Sequence, residues 1–151
     1  PPVKVVFVCT GNTCRSSMAE ALFRKMLYDL GKHEQIEVES YGIAAFEGQP
    51  ASENAIKVME MEGIDLKGHR ARQFRQEALD ADLILTMTQS HKDYILDRFP
   101  RAKGKVFLLG EFVGDYAEIS DPFGQGTDVY KQVAQELKEK LSKIIERLEK
   151  N

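Results

Sequence analysis

Val5-Val6-Phe7-Val8-Cys9-Thr10-Gly11-Asn12-Thr13-Cys14-Arg15-Ser16-Ser17 decides the fold, because a short apolar run ends there in a cysteine, small polar residues and an arginine. The apolar, β-branched start reads as a strand covered on both faces, the middle as an anion cradle and the end as a helix start. Five residues separate Cys9 from Arg15, enough for the loop to curl into a semicircle with its N–H groups turned inward. Such a nest binds a tetrahedral oxyanion. The helix opening near Ser16 directs the positive end of its dipole at the same point, favouring both a bound dianion and the thiolate form of Cys9. Nucleophile and anion site therefore coincide. Arg15 adds a planar fork of donors that can grip two phosphoryl oxygens and follow their charge into the transition state.

Outward from this stretch, Val3 to Val8 is expected to be the central strand. On the other side, Met18, Ala19, Leu22, Phe23, Met26, Leu27 and Leu30 recur at helical spacing, with Glu20, Arg24, Lys25 and Asp29 opposite and Gly31 at the C′ position. Ser16 and Ser17 both qualify as the N-cap, and Ser17 with Glu20 forms a capping box. Ile36 to Ser40 alternates as an edge strand does, and Tyr41 to Pro50 reads as a loop whose aromatic tip, Phe46, either walls the site or anchors the loop. Further on, a helix over Ser52 to Glu62 closes at Gly63, and a helical turn follows around Arg75 to Leu79. Leu83 to Met87 and Lys105 to Leu109 read as buried strands, with a helix from Gln89 to Phe99 between them that stops before Pro100. Glu111 to Thr127 reads as a surface loop, and the stripe Val129, Val133, Leu137, Leu141, Ile144, Ile145 and Leu148 as a closing helix. Strands separated by helices imply right-handed crossovers and an α/β fold: a parallel sheet with helices on both faces.

The 151 residues suit a single domain spanning 1–151. Two cysteines five positions apart cannot brace a secreted scaffold, and no apolar N-terminal run resembles a leader or a membrane span. A cytoplasmic setting is the expectation. The net charge of −3 with interspersed signs argues against a nucleic-acid surface, and the lysines of the last third alternate with glutamates as on a solvated helix face. No membrane or nucleic-acid partner is expected, and the chain is expected to be monomeric. Cys9 and Cys14 lack a second ligand pair at zinc-like spacing, and His33, His69 and His91 are scattered, so neither a metal nor another cofactor is expected.

Cys9 to Ser16 followed by Met18-Ala19-Glu20 resembles the active-site loop of the low-molecular-weight protein tyrosine phosphatases. Gly68-His69-Arg70-Ala71-Arg72 resembles that family's middle segment, and Asp121-Pro122-Phe123 its general-acid loop, so the likeness covers nearly the whole chain. Thr13 and the pair Phe123-Gly124 are most similar to the bacterial protein-arginine phosphatase branch. Tyrosine-specific members usually carry an aliphatic residue at the first position and a second aromatic at the last. Ser17 departs from the family's usual proline, which touches local rigidity and leaves the chemistry intact. The resemblance implies four parallel strands in the order 2-1-3-4, a topology that favours a ligand site at the carboxyl end of strand one.

It also implies the roles. Cys9 attacks phosphorus, Arg15 and the amides of Thr10, Gly11, Asn12, Thr13 and Cys14 hold the equatorial oxygens, and Asp121 protonates the leaving group and later activates water. Asp115 and Glu118 are alternative acids in the same loop; the resemblance and the stiffening Pro122 favour Asp121. Asn12 can brace the loop from within and tolerate a left-handed conformation, and the Ser16 hydroxyl can donate to the thiolate; each can equally just cap a turn. His69, by resemblance, bonds the loop from behind or is an ordinary satisfied histidine, and Arg72 is a brace or a solvated charge. Phe123 stacks on a planar substrate group or packs its own loop. Cys14 either closes a disulfide with Cys9 under oxidation or fills space as a small hydrophobe. The resulting expectation is a phosphatase acting on phosphoarginine in proteins. Tyrosine phosphatase stands second. An arsenate reductase would need further cysteines, and a non-catalytic phosphoprotein-binding module would have little use for Cys9, Arg15 and Asp121 together.

Overall fold

The first strand, β1 (Val3–Cys9), explains why its sequence is apolar without alternation: Val5, Val6, Phe7 and Val8 have no exposed surface on either side of the sheet. The computed structural model describes residues 1–150. On one side β1 pairs in parallel with β2 (Ile36–Gly42), from Val3 opposite Ile36 to Cys9 opposite Gly42. On the other it pairs with β3 (Leu83–Thr86), which in turn pairs with β4 (Val106–Leu108). The order is 2-1-3-4, as expected, and the chain therefore leaves β1 toward one edge and returns past it to the other. That reversal opens a crevice beyond the carboxyl end of β1, where Cys9 lies.

Alternate residues of β1 feed two cores. Val5 and Phe7 face α1 (Arg15–Asp29), α2 (Glu53–Met61) and the long α5 (Thr127–Lys150). Val6 and Val8 face α3 (Gln89–Arg98) through Ile95, together with the 3₁₀ turn Gln76–Asp80. Met18, Leu22, Phe23 and Leu27 of α1 are wholly or almost wholly buried, each stabilising the fold by about 1.5–3 kcal/mol relative to exposure. Phe23 meets Phe7 edge to face at 5.5 Å. Helices thus cover both faces of a parallel sheet. No helix among the described residues is long and apolar enough to cross a membrane.

Several local expectations need correction. The helix α1 starts at Arg15 with Cys14 at the N-cap position and no side-chain cap, so neither Ser16 nor Ser17 is the N-cap. The loop feeds its arginine straight into the first helical turn. Ser17 Oγ instead donates back to the Cys14 carbonyl at 3.0 Å, and Glu20 is buried, accepting from Ser40 Oγ at 2.5 Å and pairing with Arg24 at 2.6 Å. There is no capping box, and Glu20 is not on a solvated face. Leu30, read as the end of the apolar stripe, is exposed. The strand β2 runs on through Tyr41 and Gly42, residues read as loop. A short helix, α4 (Leu109–Val113), occupies the start of the segment read as loop from Glu111, because Leu109 and Phe112 bury themselves and Gly114, at φ 94°, turns the chain out. Lys140 is buried against Asp115 at 2.6 Å instead of lying on a solvated face.

Candidate active site

The loop from Thr10 to Cys14 leaves β1 with its backbone held from three sides. Asn12 sits at φ 60°, the left-handed region that asparagine tolerates, and is completely buried. Its Nδ2 donates to Ser16 Oγ and to Ser40 Oγ, both at 2.8 Å, and its Oδ1 accepts from the Arg72 N–H at 3.0 Å. Its carbonyl accepts from His69 Nε2 at 2.6 Å. Burial holds the His69 imidazole below its ordinary pKa, the bond to Asn12 opposing it, so the ring is a neutral donor at Nε2. The guanidinium of Arg72 lies 4.4 Å over the Tyr41 ring and 4.0 Å from Glu39 Oε1, so its charge is engaged beside the loop, while its backbone N–H is what braces Asn12. Behind the loop, Gly42 ends β2 so close that a Cβ there would stand 2.5 Å from the Thr10 carbonyl oxygen and 2.9 Å from the Asn12 nitrogen. Only glycine permits this approach.

Cys9 is buried, with Ser16 Oγ 2.8 Å from its sulfur. Ser16 Oγ accepts from Asn12, and its single proton has two acceptors within reach, the Cys9 sulfur and, farther off at 3.3 Å, the Tyr41 carbonyl. Arg15 is buried too: Nη1 donates to the Ile119 carbonyl at 2.9 Å, Nη2 to Thr10 Oγ1 at 3.4 Å, and Nη2 pairs with Asp121 Oδ2 at 3.7 Å. Of the three acids in that loop, Asp121 is the one paired with Arg15. Asp115 is tied to Lys140, which holds its carboxyl below the usual range, and Glu118 accepts from the Gln89 N–H at 2.8 Å, capping α3. Asp121 keeps its own loop turned by accepting from the Phe123 N–H at 3.1 Å. Phe123 is 72% exposed beside Gly124 at φ 79°, and Phe46 is 79% exposed.

Thr13 is half-buried. Its carbonyl accepts from the Ser52 N–H at 3.0 Å, while its hydroxyl has only the Cys14 sulfur near it, at 3.7 Å, among the described contacts. Cys14 is a buried free thiol, like Cys9, 3.3 Å from Ser52 Oγ and 3.2 Å from Tyr130 Oη. Burial first, and then the Cys14 bond, push the Tyr130 phenol up to about 12, so it stays protonated. A concavity of about 1220 Å³ opens behind the loop against Ser17, Glu20, His69 and Arg72 and has neither Cys9, Arg15 nor Asp121 in its wall. Chemistry, not volume, marks the site.

Sequence reasoning missed Ser40, Gly42, Ser52, Tyr130 and His91. The inward phase of Ser40 and Gly42 on β2 was the available signal for the first two. The histidine is 3% exposed; its Nε2 lies 2.9 Å from Thr10 Oγ1, and burial together with nearby Arg15 pushes its pKa down to about 4 against the opposing pull of Asp121 and Glu118.

This arrangement gathers a buried thiol, an arginine fork and a carboxyl group around one loop, groups that in-line phosphoryl transfer can use. A family described as "Low molecular weight phosphotyrosine protein phosphatase" matches residues 4–151. The chain is 42% identical over 150 residues to a protein-arginine-phosphatase of Geobacillus stearothermophilus, covering 98% of this chain and 97% of that one. It is equally, 42%, identical over 142 residues to the low molecular weight protein-tyrosine-phosphatase PtpB of Staphylococcus epidermidis, covering 94% and 96%. A solved YwlE arginine phosphatase, a cysteine-to-serine mutant with a phosphorylated active-site serine, superposes with a TM-score of 0.94 at 38% identity, covering 99% of this chain and 97% of that one.

Proposed function

The chain belongs to the low molecular weight phosphotyrosine protein phosphatase family, and from that premise we propose that it hydrolyses phosphoarginine in proteins through a cysteinyl-phosphate intermediate. The Cys9 thiolate attacks phosphorus in line while Arg15 and the loop amides follow the equatorial oxygens. The bond from phosphorus to the guanidinium nitrogen breaks, and the carboxylic acid of Asp121 gives that nitrogen its proton. Water then attacks the phosphoryl group on Cys9, the Asp121 carboxylate takes the proton, and phosphate leaves. The Ser16 hydroxyl stabilises the thiolate each time it is released.

One observation carries the choice of arginine. Thr13 stands in the loop with a hydroxyl whose side-chain partner is only the weakly bonding Cys14 thiol at 3.7 Å, so it keeps a lone pair available. A phosphorylated guanidinium brings N–H donors to that place, and a phenyl ring brings none. Equal identity to an arginine and a tyrosine phosphatase supports the tyrosine reading as the alternative. The test is phosphate release from phosphoarginine and phosphotyrosine peptides under identical conditions, for wild type and Thr13→Ile. Isoleucine leaves a guanidinium N–H facing apolar surface at a cost of about 1–3 kcal/mol. The expected result is a wild-type preference for phosphoarginine that falls about 5–150-fold in kcat/KM, with phosphotyrosine activity equal or improved. Wild-type preference for phosphotyrosine, or unchanged selectivity in Thr13→Ile, rejects the arginine assignment.

A further inference from the structure

His91 takes no part in the mechanism above, yet it is buried at the rim of the loop and bonded at both ring nitrogens. Two bonds tie it to Thr88 at the start of α3: the Thr88 N–H donates to Nδ1 at 3.2 Å, and Thr88 Oγ1 accepts from the His91 N–H at 3.3 Å. With Nδ1 an acceptor, a neutral imidazole carries its proton on Nε2. That proton faces Thr10 Oγ1 at 2.9 Å, and the same oxygen accepts from Arg15 Nη2 at 3.4 Å. A hydroxyl has two lone pairs and one proton. Both lone pairs of Thr10 are thus occupied, and its proton must point away from His91 and Arg15. Thr10 follows Cys9 directly and is solvent-exposed.

We propose that His91 is a positioning residue for phosphoryl transfer: through Thr10 it aims one arm of the Arg15 guanidinium and turns the Thr10 hydroxyl proton toward the phosphoryl oxygens. The inference rests on the Cys9 to Ser16 loop being the phosphate site and is independent of the choice between arginine and tyrosine substrates. A protonated ring would place a second positive charge beside Arg15, and burial disfavours it, so the donor at Nε2 persists at neutral pH.

The two bonds of the ring can be separated by substitution in the full chain. His91→Asn keeps an acceptor near the place of Nδ1 and offers nothing at Nε2; His91→Gln carries an amide N–H out toward Thr10. With p-nitrophenyl phosphate as substrate and urea unfolding in parallel, His91→Asn should fold with nearly wild-type stability. Its kcat/KM should fall about 10–100-fold, with most of the loss in kcat and KM little changed. His91→Gln should recover most of that loss. Thr10→Val should reproduce the loss, and the double variant His91→Asn with Thr10→Val should be no worse than either alone. Wild-type turnover in folded His91→Asn, no recovery in His91→Gln, or additive losses in the double variant overturns the proposal. Should His91→Asn fail to fold, Thr10→Val decides alone, and wild-type turnover there overturns it. An inactive wild type would strike the phosphatase reading first and this inference with it.

Discussion

Asp121 is more than half exposed and reaches Arg15 only at 3.7 Å, a loose contact compatible with the proposed role, in which its carboxyl would change protonation state twice per turnover. Asp121→Asn is expected to lower kcat by roughly 10²–10⁴-fold for substrates with poor leaving groups and much less for activated aryl phosphates. Steady-state rates across a series of leaving groups check this, and an equal loss across the series would make the role structural. In the sequence Asp121 was favoured over Asp115 and Glu118 by the resemblance and by the stiffening Pro122, and it is the acid of that loop that pairs with Arg15. Asn12 was legible only in part: its tolerance of φ 60° follows from the residue type, but its partners Ser40, His69 and Arg72 lie 28 to 60 positions away. Nothing in a local pattern points to them. His91 was dismissed as scattered for the same reason, since only the packing of α3 against the end of β1 brings it to Thr10.

At the scale of elements, α1 and α5 were legible because each repeats its helical period several times and β1 because its apolar run is unbroken, whereas α4 completes little more than one turn and carries no period to read. Capping was the other failure, since α1 begins inside a loop shaped by tertiary contacts and its serines serve other bonds. Ser17 illustrates the point. It lies in the first helical turn, where the N–H has no intrahelical acceptor and helical φ suits proline. Its hydroxyl bonds the Cys14 carbonyl, but that carbonyl also accepts from the Met18 N–H at 3.0 Å and would not be left bare. Ser17→Pro should therefore raise unfolding free energy by about 0.4–1 kcal/mol through the unfolded chain, measured by urea denaturation. A loss of stability would show that the serine bond outweighs the entropy gained.

The whole molecule keeps two histidines neutral, His69 and His91, and this links stability to acidity. Both have folded-state pKa values lowered by burial, His91 to about 4, against an ordinary value of 6.5. Between those values the unfolded chain binds more protons than the folded one, so stability is full above about pH 6.5 and falls as pH drops toward 4. The His91 share is on the order of 3 kcal/mol at most. Urea midpoints at pH 7 and pH 5 should separate accordingly in the wild type and less in His91→Asn; equal separation in both would assign the dependence elsewhere. The loop's supports also bear on how the chain reaches this state. Asn12 is held by β2 and by residues 69 to 72, Cys14 by Tyr130 and Arg15 by the Ile119 carbonyl. Few of these contacts are local, so closing them costs loop entropy that only an assembled sheet and a docked α5 can offset. A nascent or partly folded chain therefore holds its thiols in an unshaped loop, and phosphatase competence is acquired last in folding and given up first on opening.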